Sequence, residues 1–138
     1  MNEGHIRPLT PEECREYLAL TRIGRLAFAG PDRLELLVLN AVSDGSTVLL
    51  RTESETVLAT MTTAGPVPVA FETDHLDELL QSGWSVTVHG TASIASDAQR
   101  DALRGVLPHA WAPGDRDLII AIDVETLGGR KGRARSGP

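Results

Sequence analysis

The chain has 138 residues, 41% of them hydrophobic and 23% charged, and a net charge of −6. That is one globular domain with enough core to need no staple, and its single cysteine, Cys14, excludes an internal disulfide framework or a multi-thiolate metal cluster. No apolar run is long enough to cross a bilayer, and the N-terminus has no apolar signal core, so the expectation is a cytoplasmic protein with no membrane partner.

Thr10-Pro11-Glu12-Glu13 opens a helix running to about Leu20, with Thr10 as cap, Pro11 in the first turn and Glu13 completing a capping box. Leu9 and Cys14 are spaced as a hydrophobic staple, and Cys14, Tyr17 and Leu18 share a face. Cys14 is therefore read as core rather than nucleophile. Three antiparallel strands follow, over 25–29, 34–42 and 47–52, joined by Gly30-Pro31-Asp32-Arg33 and by an Asp44-Gly45 hairpin turn.

Ser54 is placed to cap a short helix carrying Val57, Leu58 and Met61 on one face, which Gly65-Pro66 ends. A strand is expected over 67–73, a helical turn or loop over 74–81, and a long strand over 84–94 with a bend or bulge at Gly90. Ser96 and Gln99 form a second capping box, for a helix to about Leu107. Trp111-Ala112-Pro113-Gly114 reads as a loop and 117–124 as the last strand. The fold class is mainly β with flanking helices, a six-stranded, mostly antiparallel barrel. The domain spans 9–129, between a flexible N-terminus (1–8) and a flexible basic tail (130–138).

That tail holds Arg130, Lys131, Arg133 and Arg135, while residues 1–129 carry 9 basic and 19 acidic groups. An acidic body argues against nucleic acid as a partner. Catalytic motifs are absent: there is no Gly-x-Ser-x-Gly elbow, no P-loop and no dinucleotide fingerprint. His5, His75, His89 and His109 are scattered, without metal-ligand spacing. The residues describe a scaffold that borrows whatever reactivity it has.

Several short segments recur in a familiar order: the Leu-Thr-Pro-Glu-Glu-Cys helix, Gly24-Arg25-Leu26-Ala27, Asn40 before Asp44-Gly45, Arg51-Thr52, Val69-Ala70-Phe71-Glu72-Thr73-Asp74, Gly83-Trp84-Ser85-Val86 and a late Gly-Gly-Arg. Over about residues 9–130 the chain resembles the pyridoxamine 5′-phosphate oxidase-like, FMN-binding split-barrel superfamily, in its small actinobacterial-type branch. The resemblance implies a homodimeric split barrel with FMN in the dimer grooves and an oxidoreductase acting on a small organic substrate. It implies that Val38, Leu39 and Asn40 line the ring edge and that Arg51 and Thr52 meet the phosphate or ribityl chain. It also implies that Trp84 reaches the ring from the other subunit and that Arg130 closes the site.

Each residue also has a structural reading. Val38 and Leu39 are first of all barrel core, whereas for Arg51, Thr52 and Trp84 the structural and binding readings stand level. Glu55 and Val57 occupy the positions where the family pattern carries a glycine and a phosphate-binding lysine. A carboxylate about 6 Å from a phosphate charge costs roughly 3 kcal/mol at an effective dielectric near 20. Strand alternation puts Glu53 on the Arg51 face, where the two neutralise each other, and the helix start near Ser54 offers backbone amides to an anion. Two other functions therefore stay open: a cofactor-free dimer acting as a binding or accessory protein, and a groove adapted to a deazaflavin, haem or pathway intermediate.

Overall fold

The computed structural model describes residues 4–108 and 117–133. The expected Trp111-Ala112-Pro113-Gly114 loop lies outside them. The elements in chain order are β1 (His5–Pro8), α1 (Pro11–Leu18), β2 (Ile23–Ala29), β3 (Leu34–Ser43), β4 (Thr47–Glu53), α2 (Val57–Ala64), β5 (Val67–Asp77), β6 (Ser82–Ile94), α3 (Asp97–Ala102), a 3₁₀ turn (Arg104–Val106) and β7 (Asp117–Arg133). Every strand pairing is antiparallel.

The strand order is β1-β7-β4-β3-β2-β5-β6, and β6 returns to pair with β7. Strands β2 to β7 thus close the antiparallel barrel, and β1 is a seventh strand on its flank, where the sequence led us to expect six in all. The ring encloses Leu26, Leu50, Leu58, Phe71, Val86, Val88, Ile120 and Ile122, all fully buried, and α1 adds Cys14 and Leu18 to the same core. A second cluster outside the barrel wall joins Val42, Leu49, Ile119 and Ala121 to Leu103, just after α3. Gly24 is where β2 passes close over this interior: a Cβ there would lie 2.1 Å from Cζ of Phe71, so only glycine fits.

The local signals form as read. Thr10 and Ser96 both complete capping boxes, with Glu13 and Gln99 respectively. Gly45 takes φ +95° in the β3–β4 turn, and the β6–β7 register shifts at His89/Gly90. Four boundaries differ. The cap of α2 is Thr56, whose hydroxyl accepts from the Ala59 amide, not Ser54. Thr52, buried in β4, reaches the same Thr56 hydroxyl at 2.8 Å and selects it. Residues 74–77 continue β5, because β6 supplies partners as far as Asp77↔Ser82. The helix expected to reach Leu107 ends at Ala102 and passes into the 3₁₀ turn. Finally, β7 runs 17 residues, to Arg133. Its last four pair with β1 on one side and with β6 on the other. Residues 5–8 and 130–133, which the sequence reading set outside the domain, are therefore strands of the sheet.

Candidate functional site

Strand β3 has two halves. Residues 41–43 pair with 48–50 of β4 on one side, while residues 34–40 pair only with β2. One step past the last β3–β4 pair, Ala41↔Leu50, come Asn40 and Arg51. Their strands part there, and alternation puts both side chains on the outer surface of the wall. Asn40 is exposed and Arg51 half-buried. Arg51 stands opposite Ile119 of β7, which with Leu103 seals the wall below it.

The same outer surface carries an apolar row. Leu34, Leu36 and Val38 are 83%, 71% and 65% exposed, and their β2 partners are Ala29, Ala27 and Arg25. Two small side chains and three large aliphatic ones make a flat apolar strip ending at Asn40. Next along the Val38 row, Arg25 faces Glu72 of β5. Its guanidinium lies 3.6 Å from Glu72 and 3.4 Å from Asp74. Oε1 of Glu72 is sealed from solvent without a hydrogen bond. Burial, and then the neighbouring Asp74 carboxyl, push the Glu72 acid up to about 7 against the pull of Arg25.

The structure divides the eight residues singled out in the sequence. Val38, Asn40 and Arg51 gather on the outer surface where β3 and β4 part. Leu39 points the other way and packs against the core. Thr52 is buried and engages the α2 cap. Ser54 is exposed in the turn before α2. Trp84 stacks on Tyr17 of its own chain, with ring centroids 4.6 Å apart. Arg130 is exposed on β7, opposite Ser85 and Pro8. It shares the outer surface with Asn40 but stands four strands away, across β6, β5 and β2, or roughly 19 Å along the sheet.

The row Arg25–Glu72–Asp74 was not singled out as a site in the sequence. The signal available was the alternation of Glu72 and Asp74 with buried Phe71 and Thr73, which puts two acids on one outer face. Between the α1–β2 connection and strands β5 and β6, a hollow of about 410 Å³ is lined by Thr21, Arg22, Ile23, Asp74, His75 and Trp84, among others. It begins beside Ile23, the register partner of Asn40.

Among the described residues, no group of His, Cys, Asp and Glu could hold a metal. Cys14 is buried, and burial raises its thiol pKa, so it is a core atom and not a nucleophile. What the surface offers is a flat apolar strip with an amide and a guanidinium at one end. That suits a planar ligand with an anionic arm better than it suits chemistry by the side chains themselves. No helix among the described residues is long and apolar enough to cross a membrane.

A family model described as pyridoxamine 5′-phosphate oxidase matches residues 10–131. Among curated proteins, the uncharacterized protein Rv0080 of Mycobacterium tuberculosis is 40% identical over 63 residues, which span 46% of this chain and 41% of that protein. Among solved structures, a Corynebacterium glutamicum protein provisionally assigned as a pyridoxamine 5′-phosphate oxidase superposes with a TM-score of 0.74 at 23% identity, covering 99% of both chains. An FAD-binding protein from Mycobacterium smegmatis gives 0.70 at 25% identity, over 91% of this chain and 97% of that one.

Proposed function

This chain belongs to the pyridoxamine 5′-phosphate oxidase family, and from that premise we propose that it is a flavin-binding split-barrel protein, working as a homodimer, in which the bound flavin serves an oxidoreductase acting on a small organic substrate. The observation that carries the reading is the placement of Asn40 and Arg51 on one outer face where β3 leaves β4, at the end of the exposed Leu34–Leu36–Val38 row. A contiguous apolar strip on a sheet surface is a site for association, and a second copy laid on it would convert the open edge of β3 into one wall of a groove.

The residues present fit a flavin in part. Val38 and Leu36 supply apolar surface for a flat ring, and Asn40 supplies both a donor and an acceptor for a polar ring edge. Arg51 is the cation for a phosphate. Exposed Glu53 and Glu55 act against it. When bound, a flavin would supply the hydride transfer. The chain's own part would be to hold the ring flat against β3, to orient it through Asn40, and to anchor the anionic arm with Arg51.

Purified protein should show flavin absorption or take up FMN or FAD saturably in a fluorescence titration. Arg51→Ala should weaken that uptake about tenfold, the loss of one charge-assisted contact. A colourless protein that binds neither flavin would overturn the reading in favour of the cofactor-free binding protein, which Glu53 and Glu55 favour.

A further inference from the structure

We propose a second ligand site, for a diphosphate-bearing small molecule, on the ladder where the two ends of the chain meet. Strands β1 and β7 pair with His5 opposite Arg133 and Arg7 opposite Lys131. Positions two apart on a strand share a face, so these four basic side chains form one rectangle, two across and two along. Like charges directly opposite in an antiparallel pair repel and weaken the pairing. Arg7 and Lys131 are such a pair, and an anion laid over the ladder beside them and Arg133 stabilises it.

The surroundings support an anion at this place. The chain as a whole is acidic, with 19 acidic side chains against 13 lysines and arginines, so Arg7, Lys131 and Arg133 beside His5 on two short strands are a local concentration. Among the described residues the carboxylate that reaches the ladder is Glu13, which takes the Arg7 guanidinium with hydrogen bonds of 3.0 and 2.8 Å. Lys131 has its ammonium 5.5 Å from the centre of the Tyr17 ring, which holds it without neutralising it. A hollow of about 740 Å³ lies on the rectangle, lined by the four basic residues together with Leu80 and Ser82, among others. Ser82 is the β6 partner of Arg133 and brings a hydroxyl to the same rim.

The spacing chooses a diphosphate over a single phosphate. Opposed side chains on paired strands are about 5 Å apart and successive ones on a face about 7 Å. A single phosphate spans the Arg7–Lys131 pair; two linked phosphates also reach Arg133 and the His5 imidazole. This site does not rest on the flavin reading. Arg130, the family-implied residue of the tail, lies between Lys131 and Arg133 in sequence but projects from the opposite face of β7.

That alternation provides the control. Binding of inorganic pyrophosphate, inorganic phosphate and ADP would be measured by calorimetry on the full chain. The wild type should bind pyrophosphate saturably and at least about tenfold more tightly than phosphate. The double variant Lys131→Ala/Arg133→Ala should lose pyrophosphate binding by about a hundredfold and leave FMN uptake, which involves a single phosphate, unchanged. Arg130→Ala removes a charge from the same strand and should change pyrophosphate affinity less than threefold. Lys131→Arg, which keeps the cation, should bind within a few fold of wild type, and a melting temperature of the double variant close to wild type shows that its loss is not a folding defect. ADP binding more tightly than pyrophosphate, and displaced by it, identifies a nucleotide as the source of the diphosphate; the reverse order identifies the free anion. Absence of saturable pyrophosphate binding, or an equal loss in Arg130→Ala, would overturn the site.

Discussion

The two halves of β3 share one strand and have opposite surroundings. Over 41–43 the strand lies between β2's end and β4, and Ala41, Val42 and Ser43 are all buried, one side facing the barrel interior and the other the Leu103 cluster. Over 34–40 one edge loses its neighbour and one face loses its cover, and Leu34, Leu36 and Val38 stand in solvent. Composition does not separate them, since both halves are aliphatic. The difference is where β4 turns away. A closed barrel half supplies stability, and an open half of similar chemistry is left available for a partner and a ligand.

The sharpest way to break this comparison is to cut the same size of side chain from each half. Leu50→Ala, opposite Ala41 in the closed half, should cost about 2–5 kcal/mol in denaturant unfolding, because a fully buried leucine leaves a cavity. Leu36→Ala in the open half should stay within about 0.5 kcal/mol for the isolated subunit. Equal losses would show that the open strip is core. Val38→Asp should leave the fold intact and shift the mass in sedimentation from two copies to one, weakening association by at least about tenfold. A wild type that is monomeric at micromolar concentration would refute the dimer outright.

A smaller effect separates the two candidates for the α2 cap. Thr56→Ala should cost about 1 kcal/mol, whereas Ser54→Ala should be close to neutral. A costly Ser54→Ala would place the cap at Ser54 instead of Thr56.

The last prediction contrasts two carboxyls. Glu72 has a folded-state pKa of about 7, above its ordinary 4.5, so the folded state holds its proton more tightly than the unfolded chain does. Its contribution to stability is therefore fully present below about 4.5 and lost as pH rises towards 7. Glu13 runs the other way. The Arg7 guanidinium and the Thr10 amide hold it down to about 2, so its contribution is present above about 4.5 and lost as pH falls. Glu72→Gln should flatten the pH dependence of the melting temperature between 4.5 and 7 and leave the acid limb alone. A profile unchanged by Glu72→Gln would remove Glu72 as its source.

Much of the local structure was legible in the amino acids. Capping boxes at Thr10 and Ser96, the Asp44-Gly45 turn, the alternation along β6 and its bulge at Gly90 are short-range effects, written in residues a few positions apart. The antiparallel barrel followed from such segments, but its seventh strand, β1, did not. The course of 74–77 was not legible, because its polar residues become strand only through pairing with β6. Nor was the role of 5–8 and 130–133, whose ends come together across the whole length of the chain.

The candidate site divides the same way. The sequence by itself determined that Arg51, Asn40 and Val38 lie on strands, and that Cys14 belongs to a core. It could not say that Leu39 and Thr52 turn inward while Asn40 and Arg51 share the outer face, because that depends on where β3 and β4 separate. Nor could it say that Trp84 finds Tyr17, or that His5, Arg7, Lys131 and Arg133 become neighbours. Side-chain direction on a strand is a matter of odd and even positions, which local chemistry sets; which strands lie alongside each other, and for how long, is decided only when the barrel closes.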